Sequence, residues 1–161
     1  MYVTVRNAKD NTLVKLLKLA THSYAGNLLS PQLSKNITVT ITVKDGLDAG
    51  GYCDYEFGDT GNPREFKIDI LRTNKTINMF KILAHEMVHL KQLAKGEMKD
   101  RFSKSRCITS WFGVKYDEDY SYWDQPWEIE AYGLENSLVA KFLMEHDQFK
   151  NLKQRQADWF L

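Results

Sequence analysis

Residues 76–95 read TINMFKILAHEMVHLKQLAK and are followed by Gly96. Ile77, Phe80, Leu83, Met87, Leu90 and Leu93 recur at helical spacing, and Ile82 and Val88 widen the apolar face. The run therefore predicts a buried helix that Gly96 can terminate. Within it, His85-Glu86-Met87-Val88-His89 forms an H-E-x-x-H pattern. Side chains four positions apart on a helix project from the same side, so the two imidazoles can meet at one zinc ion. Glu86 is turned from His85 by roughly 100 degrees, where it can take a proton from a metal-bound water without filling a coordination position. Zinc-dependent hydrolysis is the leading expectation, and a pair of ordinary hydrogen-bonded helix histidines is the plain alternative.

On the N-terminal side, the opening residues suit a short strand. A helix is expected from Asn11 to about Tyr24, with Leu13, Leu16, Leu17 and Ala20 on one face and Asp10 or Asn11 capping its start. Gly26 and Pro31 should break it. Ile37, Val39, Ile41 and Val43 then alternate with Thr38, Thr40, Thr42 and Lys44, the period of a strand with one buried face. Tyr52 to Phe57 reads as a second strand, Gly50-Gly51 as a turn between strands, and the segment from Asp59 to Pro63 as further turn material. Phe66, Ile68 and Ile70 alternate across a third strand, whose mixed outer face suits a sheet edge or a substrate-facing position. The fold class is α+β: a small mixed or antiparallel sheet packed against an N-terminal helix and the histidine-bearing helix. Residues 1–161 are read as one domain.

Beyond the helix, a long connection is expected from about Glu97 to Gln125. Arg101, Lys104, Arg106 and Lys115 are interleaved with Phe102, Trp111, Phe112 and Tyr116, before an acidic and aromatic stretch from Asp117 to Asp124. It suits a substrate-binding flap. Nucleic-acid engagement is the less favoured reading, since no complete recognition module accompanies the basic residues. Pro126-Trp127-Glu128-Ile129-Glu130-Ala131-Tyr132 opens a second long helix continued by Leu134, Leu138, Val139, Phe142 and Leu143. A catalytic zinc needs a third protein ligand and an open position. Glu128 or Glu130 could supply that ligand, but a separation of roughly 200 degrees around the helix keeps both from doing so. Tyr132, Tyr120, Tyr122 and His146 are candidate donors to a developing oxyanion, with Tyr132 nearest the ligand helix. Trp123 and Trp127 are expected to brace that helix, and Glu135 and Glu145 read as surface-helix residues. Phe149, Leu152, Trp159 and Phe160 in the tail are expected to dock back on the domain.

Composition bounds the rest. With 43% hydrophobic and 27% charged residues, the chain is ordinary for a globular protein, and a formal charge of +1 creates no global field for nucleic acid or acidic membranes. No apolar run is long enough to span a membrane, and the opening residues lack the layout of a secretory signal, so a cytoplasmic setting is the default. Cys53 and Cys107 form no C-x-x-C motif and are read as thiols.

His85-Glu86-Met87-Val88-His89 followed by Glu128-Ile129-Glu130-Ala131 resembles the compact gluzincin metallopeptidases, especially small phage and bacterial zincin-like proteins. The chain after His89 departs from the metzincin extension. DNA-repair zincin-like proteins are a weaker match, because neither their additional histidine nor a zinc ribbon is evident. The gluzincin resemblance implies a zincin-like fold with zinc on His85, His89 and Glu128, Glu86 as base and acid, and Ala131 at a small position beside the active-site helix. It prefers Glu128 to Glu130 because the E-x-x-A match starts there. The implied activity is cleavage of peptide bonds in a peptide or protein. Two other readings are a noncatalytic binding module stabilised by zinc and a hydrolase of nonpeptide or cell-wall amides.

Overall fold

Val39, Ile41 and Val43 are buried while the threonines between them are half-buried, so the period-two segment is a strand with one apolar face. In the computed structural model, residues 1–56, 62–103 and 106–146 are described, without the side chains of 101–103, 106 and 107. Strand β1 (Tyr2–Arg6) leads into helix α1 (Asn11–Leu28), a short helix α2 (Pro31–Lys35), and strands β2 (Thr38–Lys44), β3 (Gly51–Tyr55) and β4 (Glu65–Leu71). Helix α3 (Thr76–Lys95) follows, then β5 (Met98–Ser103), β6 (Arg106–Trp111) and β7 (Val114–Asp117), a 3-10 turn (Tyr122–Asp124) and helix α4 (Pro126–Glu145).

Asp10 caps α1 by accepting the Leu13 amide at 2.8 Å, as expected, but the helix runs through Gly26 to Leu28. A glycine costs about 1 kcal/mol inside a helix, and burial of the neighbouring Ala25 and Leu28 offsets it. Pro31 starts α2 instead of merely breaking the chain, with Ser30 as its cap.

Among the described residues the first sheet is mixed, in the order β1-β2-β4-β3. Strands β1, β2 and β4 are parallel, and β3 pairs antiparallel with β4. Thus β4 lies inside the sheet, which overturns the edge alternative of the edge or substrate-facing expectation; β3 takes the edge. The polar residues on the outer face of β4 are satisfied by neighbours: Asp69 pairs with Lys44 at 2.5 Å and Lys67 with Glu56 at 2.6 Å. Helices α1 and α3 cover the apolar face, and α4 packs on both. Their junction holds Tyr24, Phe80 and Phe142, with the Phe142 ring edge-on to the other two at 5.9 and 5.2 Å. The Tyr24 hydroxyl donates to the Phe80 carbonyl at 3.2 Å.

The long connection expected between α3 and α4 is largely strand, and Met98, Asp100 and Thr109 within it line the cleft described below. Strands β5, β6 and β7 form an antiparallel meander. Phe112 and Gly113, at φ of 45° and 88°, make the tight turn between β6 and β7. Trp111 and Tyr116 pack against Trp127 at ring separations of 6.4 and 5.4 Å, anchoring the meander to the first turn of α4. Trp127 is therefore a brace as expected, while Trp123 is exposed and rests on Tyr132 at 5.7 Å. The tail docking expectation and the turn residues 59–61 lie outside the described residues, as does the side chain of Cys107. Among the described residues, no helix is long and apolar enough to cross a membrane.

Candidate metal centre

Helix α3 presents His85 and His89 from successive turns, and Gly96 closes it in the left-handed conformation at φ 73°. Pro126 opens α4 with its fixed backbone angle, which places Glu128 in the first turn facing α3. His85 Nε2 lies 3.2 Å from His89 Nε2 and 3.2 Å from Glu128 Oε2, while His89 Nε2 lies 3.3 Å from Glu128 Oε1. These three side chains form a cluster suited to hold a metal ion.

The donor set and its spacing provide a test of fit. Bonds of roughly 2.0–2.1 Å to a tetrahedral zinc would put neighbouring ligand atoms roughly 3.3–3.4 Å apart, the separation seen here within a few tenths. The other ring nitrogens have acceptors of their own, so each can keep its proton while Nε2 turns to a metal. His85 Nδ1–H donates to Glu135 Oε2 at 3.1 Å, and His89 Nδ1–H donates to Gln92 Oε1 at 2.8 Å. Loss of the proton that His85 Nε2 holds toward Glu128 would leave both Nε2 lone pairs and the carboxylate directed at one point, an arrangement that a shared cation satisfies.

Glu130 takes no part in this cluster. Its carboxylate accepts two bonds from Lys91 Nζ at 2.7 and 2.9 Å and one from Gln92 Nε2 at 2.9 Å. Gln92, fully buried, also donates to the Trp127 carbonyl at 2.9 Å, so its amide oxygen is left for His89. Glu130 thus supports a histidine through Gln92. Glu135 corrects the surface reading: it is 4% exposed and bridges His85 to Lys81, whose Nζ lies 3.1 Å from Oε1. Two sequence signals were available. Gln92 stands three residues after His89, and Glu135 stands two helical turns after Glu128 on the same face.

Glu86 is buried against the start of β3. A Cβ at Gly51 would lie 2.7 Å from Glu86 Oε1, so Gly51 supplies close approach as well as opening a strand. Burial raises the Glu86 carboxyl to about 7, against the opposing pull of His89 and His85. Burial opposes ionisation of His85, but hydrogen bonds to Glu128 and Glu135 outweigh it and raise the imidazole to about 9. Burial likewise works against ionised Glu128, yet the two imidazoles and the Tyr122 hydroxyl hold it well below the usual carboxylate range.

The tyrosine candidates separate by position. Tyr122 donates to Glu128 Oε2 at 2.8 Å, and its hydroxyl lies 3.3 Å from that of Tyr132. The Tyr132 ring meets His85 edge-on at 4.7 Å. Tyr120 instead packs on Tyr116 at 4.9 Å, and His146 caps α4 against Phe142 at 5.0 Å. His22 is exposed on α1. All three ligand candidates, Glu86, Tyr122 and Tyr132 line one open cleft of about 650 Å³, bordered on one side by Gly51, Tyr52 and Cys53 of β3. Cys53 is a free thiol, pushed well above its usual value by burial.

A scan of family models, a search of curated proteins and a search of solved structures each found no match to this chain. The geometry stands on its own residues. His85-Glu86-x-x-His89 with Glu128 resembles an H-E-x-x-H gluzincin active site and supports a zinc metallopeptidase type of enzyme.

Proposed function

We propose that this chain is a zinc-dependent peptidase in which His85, His89 and Glu128 hold the metal and Glu86 moves the proton. Zinc, when bound, would act as a Lewis acid on the substrate carbonyl and make a water molecule more acidic. Glu86 lies one position from His85 in the chain and is buried at the cleft wall, which suits it to accept the proton of the attacking water. The same carboxyl then delivers that proton to the departing amide nitrogen as the C–N bond breaks, so no covalent enzyme intermediate is required. Tyr122 orients Glu128, and Tyr132 is the donor we assign to the developing oxyanion.

The observation that carries this reading is the convergence of two imidazoles, each with a partner on its other nitrogen, and one carboxylate at tetrahedral spacing beside an open cleft. A zinc kept only for packing would have no need of that cleft. Strand β3 favours a peptide over a compact amide: among the described residues it pairs with β4 alone, which leaves its other edge to receive an extended chain by strand addition. The test is metal content and unbiased peptide cleavage of the native protein and Glu86→Gln in parallel. Equimolar zinc in both, with at least about a 100-fold loss of cleavage in the variant, is expected. Undiminished cleavage by the variant would reject the mechanism, and metal without cleavage in either protein would favour the binding module.

A further inference from the structure

The cleft continues past the histidines. Leu93 follows His89 by one helical turn on the same side of α3, and Met98 opens β5 just beyond the Gly96 cap. In the meander Met98 stands opposite Trp111 and Asp100 opposite Thr109. Residues two apart on a strand share a face, so these four side chains form one surface. Its apolar end packs on Trp127, and its polar end, Asp100 and Thr109, lines the same cleft as the metal cluster.

Asp100 differs from the other carboxylates lining that cleft. Glu128 faces the imidazoles, Glu135 is held by His85 and Lys81, and Glu86 is buried against Gly51. Asp100 accepts the Thr109 hydroxyl at 2.8 Å, and among the described residues no cation pairs with it. A half-buried carboxylate in a cleft attracts a positive group, and an apolar wall leading to it suits an aliphatic stem ending in that charge.

We propose that Leu93, Met98 and Trp127 form the stem wall, and Asp100 steadied by Thr109 the charged end, of a subsite for a lysine or arginine side chain of the substrate. The subsite gives the peptidase reading a substrate class and rests on it only in taking a peptide as ligand. Blocked hexapeptides carrying one lysine, or one norleucine of similar stem without the ammonium, are placed at each position in turn. Their binding to zinc-loaded Glu86→Gln and Glu86→Gln/Asp100→Asn proteins is measured by calorimetry.

At one position lysine should bind about tenfold more tightly than norleucine to the single variant, and the ratio should fall to about one in the double variant. Norleucine peptides should bind both proteins alike. Equal binding of lysine and norleucine, a lysine preference that survives Asp100→Asn, or no binding of either overturns the subsite. Cleavage by the native protein is scored separately: a lysine preference with no cleavage would sustain the subsite and reject the peptidase reading.

Discussion

Substituting alanine for Gly51 isolates the contact between β3 and Glu86. The added methyl would stand 2.7 Å from Glu86 Oε1 and 2.9 Å from both the Asp69 carbonyl and Ile82 Cγ2. Carbon contacts relax at about 3.5–4.0 Å, so the overlap with Ile82 alone is at least roughly 0.6 Å. The glutamate can retreat, but the Asp69 carbonyl belongs to β4, whose register with β3 pairs Gly51 with Ile70. Either Glu86 moves away from the reacting atoms or the start of β3 shifts outward. Displacement on this scale should lower kcat by roughly 10–100-fold, or about 1.4–2.7 kcal/mol of activation free energy. Overpacking should lower stability by about 1–3 kcal/mol. Zinc content should be unchanged, because all three ligands lie on α3 and α4. Steady-state cleavage, metal analysis and thermal melting check these outcomes. Native kcat with a native Tm would refute the claim that β3 holds Glu86 in place.

Other perturbations reach different layers of the site. Glu135→Gln should weaken zinc binding about tenfold and Glu135→Leu up to about 100-fold, since His85 loses its buried carboxylate partner; competition against a chromophoric chelator measures both, and equal affinity in all three proteins contradicts that role. In the metal-free protein His85 titrates near 9, raised from 6.5. Its ion pairs with Glu128 and Glu135 therefore contribute stability that is full below pH 6.5 and is lost as pH rises through about 9. Zinc must displace that proton, so its affinity should rise by about tenfold per pH unit across this window while metal-free stability falls. Calorimetry in buffers of different ionisation enthalpy should show proton release, and a pH-independent affinity would be inconsistent with a protonated His85. Phe142→Ala should cost about 3–5 kcal/mol in chemical denaturation, because the ring is fully buried between Tyr24 and Phe80; a loss below about 1 kcal/mol would show that the three-helix junction repacks.

Local pattern made much of the architecture readable. The period change between residues 37–43 and 76–95 separates strand from helix, and Asp10, Gly96 and Pro126 mark helix ends through backbone chemistry that acts within a few residues. The position of β4 was not readable in that way. Its outer Lys67 and Asp69 look like edge residues until Glu56 and Lys44 meet them, and those pairings depend on strand order. The meander was obscured because its described inner face mixes Met98 and Trp111 with Asp100 and Thr109 and so lacks a clean apolar alternation. At the site, the helical motif carries His85, Glu86 and His89 together. Glu128 and Glu130 needed the helix-to-helix orientation to be told apart, and Gly51 has no side chain by which sequence could have announced its contact with Glu86.

The two helices that carry the candidate ligands are also far apart along the chain: His85 and Glu128 are separated by 43 residues, with the whole meander between them. A cation joining them would act as a reversible staple across that loop, restricting the unfolded chain in the manner of a cross-link and adding its binding energy to the folded state by mass action. Metal supply would then govern how long the enzyme survives proteolysis as well as whether it can turn over.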